Sequence, residues 1–482
     1  MFNKKTLLVK QSKLIKVPLD KFQIMDLGEF SRQPLSTQNM ENIICEKDAI
    51  KAGYGFEALK LPDLKVSTED VEVVFKSDAP QEILGLWNFT FYDDLIDKDQ
   101  YYFFFIDQEK KLWFFNIHSE KNLFYGMLRF KEIPSAVHFV INNGVDLMFF
   151  SSKTDSTWAY GAAGVQEYKN VPPFKSATWF GPYLFLATAG INNKVYYSTE
   201  RIVTWSNSNI HKLDIPEIRG GLTKLISIKD ILYIFHEYGL IKATLYSSNE
   251  KIDVQTLYQS SSYIFPETVA RNGDYVLFMN REGIYKIKGN TVTKLDFLLN
   301  DKIIHPTEDN TVAAAYDGKY FIACRYDFGD KIEEGVVNNA IIIFDPETGV
   351  TEITRGIDIR NLVTLQTPYL KRLCATFRGE KKHKIGQLCK DGKFFGENLP
   401  KSWQSGWTDF GYPDKDKLIT SILVKGVTTG TLKIETENEV HEFKLNSKRI
   451  RTNMFGKNFK LSYSCEDGST LDKCSLNVKV FM

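Results

Sequence analysis

Adjacent acidic side chains are the residues of this chain best suited to acid–base chemistry. They occur at Asp93-Asp94 and at Glu333-Glu334. Cleavage of a glycosidic bond uses two carboxyl groups held at a set separation across a pocket, one of them as a proton donor. Both pairs stand in expected loops, and acidic loop residues are usually solvated. We therefore interpret them as surface residues and not as a catalytic pair.

The cysteines and histidines lack the spacing of a metal site, since no two cysteines form a CxxC pair. The six cysteines are Cys45, Cys324, Cys374, Cys389, Cys465 and Cys474, and the isolated histidines are His118, His138, His211, His236, His305, His383 and His441. The nearest approach to a cluster is Cys374 with His383 and Cys389. We expect the thiols to be free and packed as small hydrophobic groups.

Other sequence signatures of catalysis are also missing. The chain has no phosphate-binding Walker loop, no Gly-x-Ser-x-Gly turn and no calcium loop of alternating aspartates. We therefore predict no catalytic, cofactor-binding or metal-binding residue, no cofactor, and a protein that is not an enzyme.

Two groups of basic residues could contact a polyanion or an acidic protein surface. The first is the N-terminal group Lys4, Lys5, Lys10 and Lys13, and the second is Lys448, Arg449, Arg451 and Lys457. Basic side chains on solvated strand faces are the ordinary alternative. We favour the N-terminal group, because terminal segments that become ordered on binding are common assembly devices.

The overall composition excludes several classes of protein. The chain has 482 residues, a formal net charge of +1, 43% hydrophobic and 13% aromatic residues. This content excludes a disordered chain, and the near-neutral charge provides no global field toward nucleic acid or a membrane. Apolar stretches are too short for a signal peptide or a membrane span. We expect synthesis in a reducing cytosol and no membrane insertion by this chain.

A strand unit recurs about seven times between Tyr102 and Tyr369. Each copy has a turn of Asp, Asn, Gly or Lys, then an aromatic or aliphatic residue, then a short apolar run. The copies are at 98–105, 143–150, 181–186, 229–235, 272–278, 317–323 and, more weakly, 367–370. Their spacing of roughly 36 to 49 residues is typical of a four-stranded propeller blade.

A second β-rich run follows most copies of the unit. These runs are at 111–116, 194–198, 239–243, 283–288 and 340–345. Several alternate between apolar and polar residues, as strands with one buried face do, whereas continuous apolar runs such as Tyr101 to Ile106 fit strands covered on both faces. The segment Asp345 to Gly349 has the residues of a tight turn and predicts a hairpin tip.

The character of the chain changes near residue 403. Five short strands follow, at 418–424, 430–435, 439–445, 459–463 and 476–480. We predict an all-β protein: a β-propeller of about six or seven blades at 66–402 and a C-terminal β-sandwich at 403–482. Residues 1–65 form an N-terminal arm, which we expect to pair with the sandwich or to close the propeller ring.

One segment resembles the Asp box of sialidases. The segment runs from Ser198 to Trp205, with Thr204 next to the tryptophan. It departs from the Ser-x-Asp-x-Gly-x-Thr-Trp pattern because Glu200 replaces aspartate and Ile202 replaces glycine. Such a box is a folding device at a blade hairpin, so it supports the fold and not the chemistry.

Three segments resemble the corresponding parts of tailed-bacteriophage virion proteins with a propeller body. They are the run from Trp403 to Pro413, the basic segment from Lys448 to Phe459 and the early segment from Asp26 to Leu35. These include the tail hub, nozzle or "stabilisation" proteins of short-tailed phages. The resemblance implies a ring-shaped homo-oligomer, a hexamer, mounted below the portal or its adaptor. It also implies location in the virion tail, assembly in the host cytoplasm and transient contact with passing DNA.

We therefore predict a structural, non-catalytic component of a phage tail or head–tail connector, a nozzle or hub ring in the DNA-ejection conduit. Near-neutral charge fits a conduit that does not retain DNA. The alternative is a propeller phage protein that binds or cleaves host glycans. Exposed aromatic side chains could stack on sugars, but most aromatic residues are expected to fill the core. The candidates for stacking are Trp158, Tyr160, Tyr168 and Trp179.

Overall fold

The structure is a computed structural model, and almost every element it describes is a β-strand. It describes residues 12–19, 37–46, 49–59, 64–67, 72–75, 82–93, 98–109, 111–119, 122–129, 140–142, 146–151, 156–161, 164–167, 174–188, 193–198, 210–246, 251–305, 310–367, 370–425, 429–466, 471 and 474–482. The other described elements are short 3-10 helices at Pro266–Thr268, Asn300–Lys302 and Gly379–Lys381.

The N-terminal part of the chain contributes short strands. They are β1 (Ser12–Pro18), β2 (Thr37–Glu41), β3 (Ile43–Glu46), β4 (Ala49–Ala52), β5 (Gly55–Ala58), β6 (Leu64–Ser67) and β7 (Glu72–Phe75). Strands β3 and β4 form one antiparallel hairpin, and β6 and β7 form another.

Six consecutive four-stranded sheets follow, each with its strands in sequence order. The first five are antiparallel meanders. Their strands are β8 (Ile83–Asp93), β9 (Lys98–Asp107), β10 (Lys111–Ser119) and β11 (Asn122–Arg129); β12 (Val140–Asn142), β13 (Asp146–Ser151), β14 (Ser156–Gly161) and β15 (Gly164–Glu167); β16 (Phe174–Phe180), β17 (Tyr183–Thr188), β18 (Val195–Ser198) and β19 (Ile210–Leu213); β20 (Leu222–Ile228), β21 (Ile231–His236), β22 (Gly239–Tyr246) and β23 (Lys251–Gln259); and β24 (Ala270–Asn272), β25 (Tyr275–Asn280), β26 (Gly283–Lys288) and β27 (Thr291–Lys294).

The remaining strands begin with two hairpins, which together form the sixth four-stranded sheet, and a meander. These are β28 (Val312–Tyr316) with β29 (Lys319–Cys324), β30 (Ala340–Phe344) with β31 (Thr351–Arg355), and β32 (Ile359–Gln366), β33 (Lys371–Phe377) and β34 (Ile385–Cys389). The C-terminal strands are β35 (Lys393–Phe394), β36 (Glu397–Asn398), β37 (Lys401–Ser405), β38 (Lys417–Val424), β39 (Thr431–Thr436), β40 (Val440–Lys444), β41 (Arg449–Gly456), β42 (Phe459–Cys465) and β43 (Cys474–Phe481).

The recurring apolar runs of the sequence are the second strands of these units. They correspond to β9, β13, β17, β21, β25 and β29, and the runs that follow them correspond to β10, β18, β22, β26 and β30. Phe103, Phe104 and Phe105 have no solvent exposure, which confirms that β9 is covered on both faces. The prediction of an all-β fold of the propeller type, built from successive four-stranded antiparallel sheets, is therefore confirmed.

Turn residues explain why the loop between strands β28 and β29 is so short. Tyr316 pairs with Lys319 across a two-residue loop of Asp317 and Gly318, whose φ angles are 52° and 78°. Two consecutive positive φ angles define the type I′ turn, which matches the twist of a hairpin and favours Asp-Gly. The predicted hairpin tip at 345–349 also lies between two paired strands, β30 and β31, with Gly349 at φ 74°.

The described residues divide into two compact units. The central unit lies within 58–339 and 358–387, and the terminal unit lies within 1–57, 340–357 and 388–482. The domain boundaries expected near residues 65 and 402 stay a prediction.

Successive sheets of the central unit pack on each other through buried apolar clusters. Phe185 and Val195 of the third sheet share a cluster with Leu225 and Ile241 of the fourth. The first sheet packs in the same way on β32–β34, where residues such as Phe103 share a cluster with Leu365, Cys374 and Ile385. Burial between sheets, and not within any one sheet, therefore provides the apolar core of this unit.

The terminal unit contains two antiparallel sheets with one hydrophobic core between them. The four-stranded sheet has the order β1-β43-β38-β41, and the five-stranded sheet has the order β2-β37-β42-β39-β40. Fully buried Ile419 and Val478 come from the first sheet, and Leu432 and Leu461 come from the second. All five strands predicted after residue 403 are present, together with β41.

The N-terminal strand β1 completes the four-stranded sheet. It pairs antiparallel with β43, with Ser12 opposite Phe481 and Pro18 opposite Ser475. This is one of the two positions expected for the N-terminal arm. Among the described residues, no helix is long and apolar enough to cross a membrane.

Candidate assembly surface

The structure places the second predicted basic group at one edge of the four-stranded sheet. Arg449 and Arg451 lie on β41, Lys448 directly precedes that strand and Lys457 directly follows it. All four side chains are exposed. Lys4, Lys5 and Lys10 of the first group lie outside the described residues.

Lys13, the one residue of the first group that the structure describes, has a different environment. It lies on β1, at the opposite edge of the sheet, and its Nζ donates a hydrogen bond of 2.9 Å to the hydroxyl of Tyr412. The same Nζ lies 5.4 Å from the centre of the Tyr412 ring. The structure therefore does not bring Lys13 together with the residues of β41.

Strand register aligns the outward-facing residues of this sheet into rows. One row crosses all four strands through Leu14, Lys479, Leu418 and Phe455. The next passes through Lys16, Asn477, Ser421 and Arg451, and a third through Pro18, Ser475, Leu423 and Arg449. We call these three rows the outer face. The outer face carries four cations and no carboxylate.

Apolar side chains at both edges of the outer face are open to solvent. Leu14 is 68% exposed and Phe455 is 47% exposed. The Phe455 ring lies 6.2 Å from that of Phe481, and Lys479 Nζ lies 5.3 Å from the Phe481 ring centre. Apolar groups beside cations are typical of contact surfaces, since the apolar part supplies burial and the charges select the partner.

The basic edge is formed by residues 448–457, a segment with four cations and no acidic residue. The guanidinium groups of Arg449 and Arg451 are exposed and have no hydrogen-bond or ion-pair partner within the part of the chain that the structure describes. Guanidinium groups are the side chains best matched to carboxylates, because they can donate two parallel hydrogen bonds. We define the basic edge as Lys448, Arg449, Arg451 and Lys457.

An acidic edge lies on the other sheet of the same unit, and the sequence analysis did not identify it. The segment 435–442, which joins β39 to the edge strand β40, contains four glutamates and no Lys or Arg. Val440, in the same segment, is 50% exposed. We define the acidic edge as Glu435, Glu437, Glu439 and Glu442.

Two of these glutamates have structural roles. Glu437 Oε1 accepts hydrogen bonds from the backbone N–H and the side-chain amide of Asn458, at 2.6 and 2.9 Å. Glu439 accepts from the backbone N–H of Phe455 and contacts His441 at 3.2 Å. Glu442 makes no such bond to described residues and is exposed, so its carboxylate is open to a second molecule; Glu435 is half-buried and lies opposite Lys460 of β42.

A buried lysine fixes the end of the basic edge. Lys417 has no solvent exposure, and its Nζ donates to the carbonyl oxygens of Lys415 and Lys457, at 2.8 and 2.7 Å. Burial lowers the pKa of Lys417, and the surrounding carboxylates, Asp409 first, oppose that shift. The turn after β41 is therefore held by a charged group that cannot itself contact a partner.

The acidic pairs considered for catalysis do not form a site in the described structure. Glu333 and Glu334 are exposed in a turn, Asp94 lies outside the described residues, and so does the side chain of Asp93. Most of the Asp-box-like segment is outside them too; Ser198 is buried, and its hydroxyl accepts a hydrogen bond from Leu184 N–H. Of the aromatic residues considered for sugar stacking, Trp179 is half-buried, Trp158 and Tyr160 lie on β14 with side chains outside the description, and Tyr168 lies outside the described residues.

The described cysteines are free thiols, and they do not cluster with other ligands. Burial raises the pKa of both Cys324 and Cys374 to about 12, and both have no solvent exposure. The pKa of Cys389 is also raised to about 12, by burial and by its hydrogen bond to Asp391. Within the described ranges, no group of three His, Cys, Asp or Glu side chains is placed to hold a metal ion.

No protein-family model and no curated protein sequence matches this chain. Several solved structures are similar at low identity. Virginiamycin B lyase from Staphylococcus aureus is 12% identical with a TM-score of 0.41, covering 68% of this chain and 98% of the lyase. Sqt1 from Saccharomyces cerevisiae is 9% identical with a TM-score of 0.36, covering 65% and 97%. The designed protein Ika8 is 12% identical with a TM-score of 0.36, covering 64% and 96%. Similarity of this degree supports no argument about function.

Proposed function

We propose that this chain is a structural, non-catalytic component of a bacteriophage tail or head–tail connector. It forms a ring-shaped homo-oligomer, a hexamer, that acts as a nozzle or hub in the DNA-ejection conduit. Its neighbours are a portal adaptor or other tail proteins, and DNA touches it only in passing. It is located in the virion tail after assembly in the host cytoplasm.

In this proposal residues 66–402 form a β-propeller of six or seven blades. The six four-stranded sheets are six blades, and the meander β32–β34 begins a seventh. The packing of the first sheet on β32–β34 supports a closed ring of blades, because the first and last blades of a propeller must meet. The two sheets of the terminal unit form the C-terminal β-sandwich, with β1 and β2 added from the N-terminal arm.

The observation that carries the proposal is the charge complementarity of the two edges in the terminal unit. The basic edge exposes Arg449 and Arg451, and the acidic edge exposes Glu442 beside the half-buried Glu435. Because both edges belong to one copy, the acidic edge of each copy can bind the basic edge of the next. A contact of this head-to-tail kind joins different surfaces and closes into a ring when the rotation per copy divides a full turn.

Exposed apolar residues at this contact can add buried apolar surface to the charge pairing. Val440 lies beside the acidic edge, and Phe455 lies beside the basic edge. Burial of apolar surface supplies affinity, whereas surface ion pairs contribute little by themselves and mainly select the partner and its orientation. We therefore expect ring assembly that weakens with salt and does not vanish.

Charge reversal tests the proposal. Arg449→Glu with Arg451→Glu places like charges across the contact, and we expect association to weaken by about a hundredfold. Glu435→Lys with Glu442→Lys has the same expected effect from the other side. A chain carrying all four substitutions restores opposite charges and should assemble again. Sedimentation velocity measures each state.

The matched control for these variants reverses two exposed lysines of the central unit, Lys302→Glu with Lys331→Glu. It changes net charge by the same amount as the arginine pair and should leave assembly unchanged. The proposed contact would be contradicted if the charge reversals left assembly intact. It would also be contradicted if the variant with all four substitutions stayed dissociated.

A further inference from the structure

The central unit contains a cavity of about 300 Å³ on which the first strands of several sheets converge. Its walls come from β8, β20, β24, β28 and β32, together with the short 3-10 helix that precedes β24. A cavity of this volume is at the lower end of the range for small-molecule sites, about 300–1,000 Å³. It can hold a molecule the size of one sugar ring.

Small residues on two strands make this space. Three consecutive alanines of β28, Ala313, Ala314 and Ala315, line the cavity. On β8, Gly85 has no side chain, and a Cβ atom built there would lie 2.0 Å from the Trp87 ring. The indole of Trp87 therefore lies across Gly85, and Trp87 also lines the cavity. An aromatic ring in such a wall offers an apolar face to the C–H groups of a ligand.

Two cations line the cavity with a single carboxylate. Lys224 Nζ lies 3.8 Å from Glu267 Oε2, beyond hydrogen-bonding distance, and donates at 3.3 Å to the carbonyl of Pro266. Arg271 uses its Nε to donate to the carbonyl of Gly273, and its terminal nitrogens have no acceptor among the described residues. The lining therefore carries an excess positive charge that a ligand anion would balance.

Two amides supply hydrogen-bonding groups of both kinds. Asn88 donates through Nδ2 to the carbonyl of Thr364 at 2.7 Å, which leaves its Oδ1 as an acceptor. Asn361 accepts from the Thr376 hydroxyl at 2.9 Å through Oδ1, which leaves its Nδ2 as a donor. Both side chains are held in place by these bonds, so the groups they present are preorganised for hydroxyls of a ligand.

We propose that this cavity binds one anionic sugar residue, a pyranose ring that carries a carboxylate. Arg271 and Lys224 pair with the carboxylate, the amides of Asn88 and Asn361 bond hydroxyls, and the ring packs against Trp87. This inference is independent of the proposed ring assembly, because its residues all belong to the central unit.

Calorimetric titration of the full-length protein with glucuronate and with glucose tests this inference. The two sugars share a ring and differ in the carboxylate, so glucuronate should bind about tenfold more tightly, as expected for one charge-assisted pair. Arg271→Gln and Lys224→Gln should each remove most of that tenfold difference and leave glucose binding unchanged. Ala315→Leu should abolish the binding of both sugars by filling the cavity.

Lys302→Gln is the matched control, because it removes one exposed cation that does not line the cavity. Circular dichroism and thermal unfolding establish that each variant is folded. Equal affinity for the two sugars, absence of binding by either, or glucuronate binding that survives both the charge and the Ala315→Leu substitutions would overturn the assignment.

Discussion

Asp107 shows how this chain uses a buried carboxylate for structure and not for catalysis. It has no solvent exposure, and its Oδ2 accepts a hydrogen bond of 3.0 Å from the indole N–H of Trp113. Its Oδ1 accepts from the backbone N–H groups of Glu109 and Lys111. The carboxylate therefore closes the turn between β9 and β10.

Replacement of Asp107 by alanine should destabilise the central unit by about 3 kcal/mol, since three donors lose a buried charged acceptor. Urea unfolding measures the loss. Asp345→Ala is the matched control: its carboxylate accepts from Glu347 and Thr348 in an exposed turn, and the expected cost is below about 1 kcal/mol. Equal costs for the two substitutions would contradict this account of Asp107.

His305 predicts the response of the protein to acid. Its ring stacks on Phe265 at 5.3 Å, and both ring nitrogens are buried without a hydrogen-bond partner among the described residues. Burial, with Arg281 nearby, lowers the pKa of His305 below its ordinary value of 6.5. Burial also lowers the pKa of His236. The unfolded chain therefore binds protons near pH 6 that the folded chain does not.

The free energy of unfolding should consequently be highest above about pH 6.5. It should decrease as the pH falls below the ordinary histidine pKa toward the lowered values. His305→Phe removes one of these groups and keeps the stacked ring, so we expect a gain of about 1 kcal/mol at pH 5 and a shallower acid limb. Urea unfolding at pH 5 and pH 8 measures both effects, with the exposed His211→Phe as control. Parallel pH profiles for wild type and His305→Phe would refute this account.

At the scale of strands, the sequence predicts the units that are buried on both faces. Strands such as β9 and β21 read as continuous apolar runs after a turn residue, because neither face meets water. The two-residue turn at Asp317-Gly318 is equally predictable from the sequence, because its positive φ angles favour those residue types. Local chemistry is sufficient wherever burial or backbone geometry leaves few choices.

The assembly surface was only partly predictable, for a physical reason. The basic residues of β41 stand close together in the sequence, so their grouping is visible before the fold is known. Lys16 and Lys479 join Arg451 and Arg449 on the outer face only through strand register between distant segments. The acidic edge was missed because solvated glutamates near a turn are common, and its significance depends on a basic edge in the same unit.

The cavity could not be predicted from the sequence. Ala313 to Ala315 read as part of an ordinary strand, and Lys224 and Arg271 lie 47 positions apart on different sheets. The convergence of five first strands on one space depends on how the sheets pack, and no single segment of the sequence predicts it.

At the scale of the whole molecule, the net charge of +1 conceals a segregated distribution. Four cations lie at one edge of the four-stranded sheet, and four glutamates lie between residues 435 and 442 on the five-stranded sheet. A protein with near-neutral total charge and complementary edges can associate with itself while exerting little long-range attraction on DNA. These are the requirements for a conduit that must be stable and must release its cargo.

The central claim is that copies of this chain assemble head to tail into a closed ring. Multi-angle light scattering of the purified full-length protein at increasing concentration, with negative-stain images of the same fractions, tests it most directly. We predict a single assembled species with the mass of six copies, seen as rings with a central opening. A monomer at every concentration and at low salt would contradict the account.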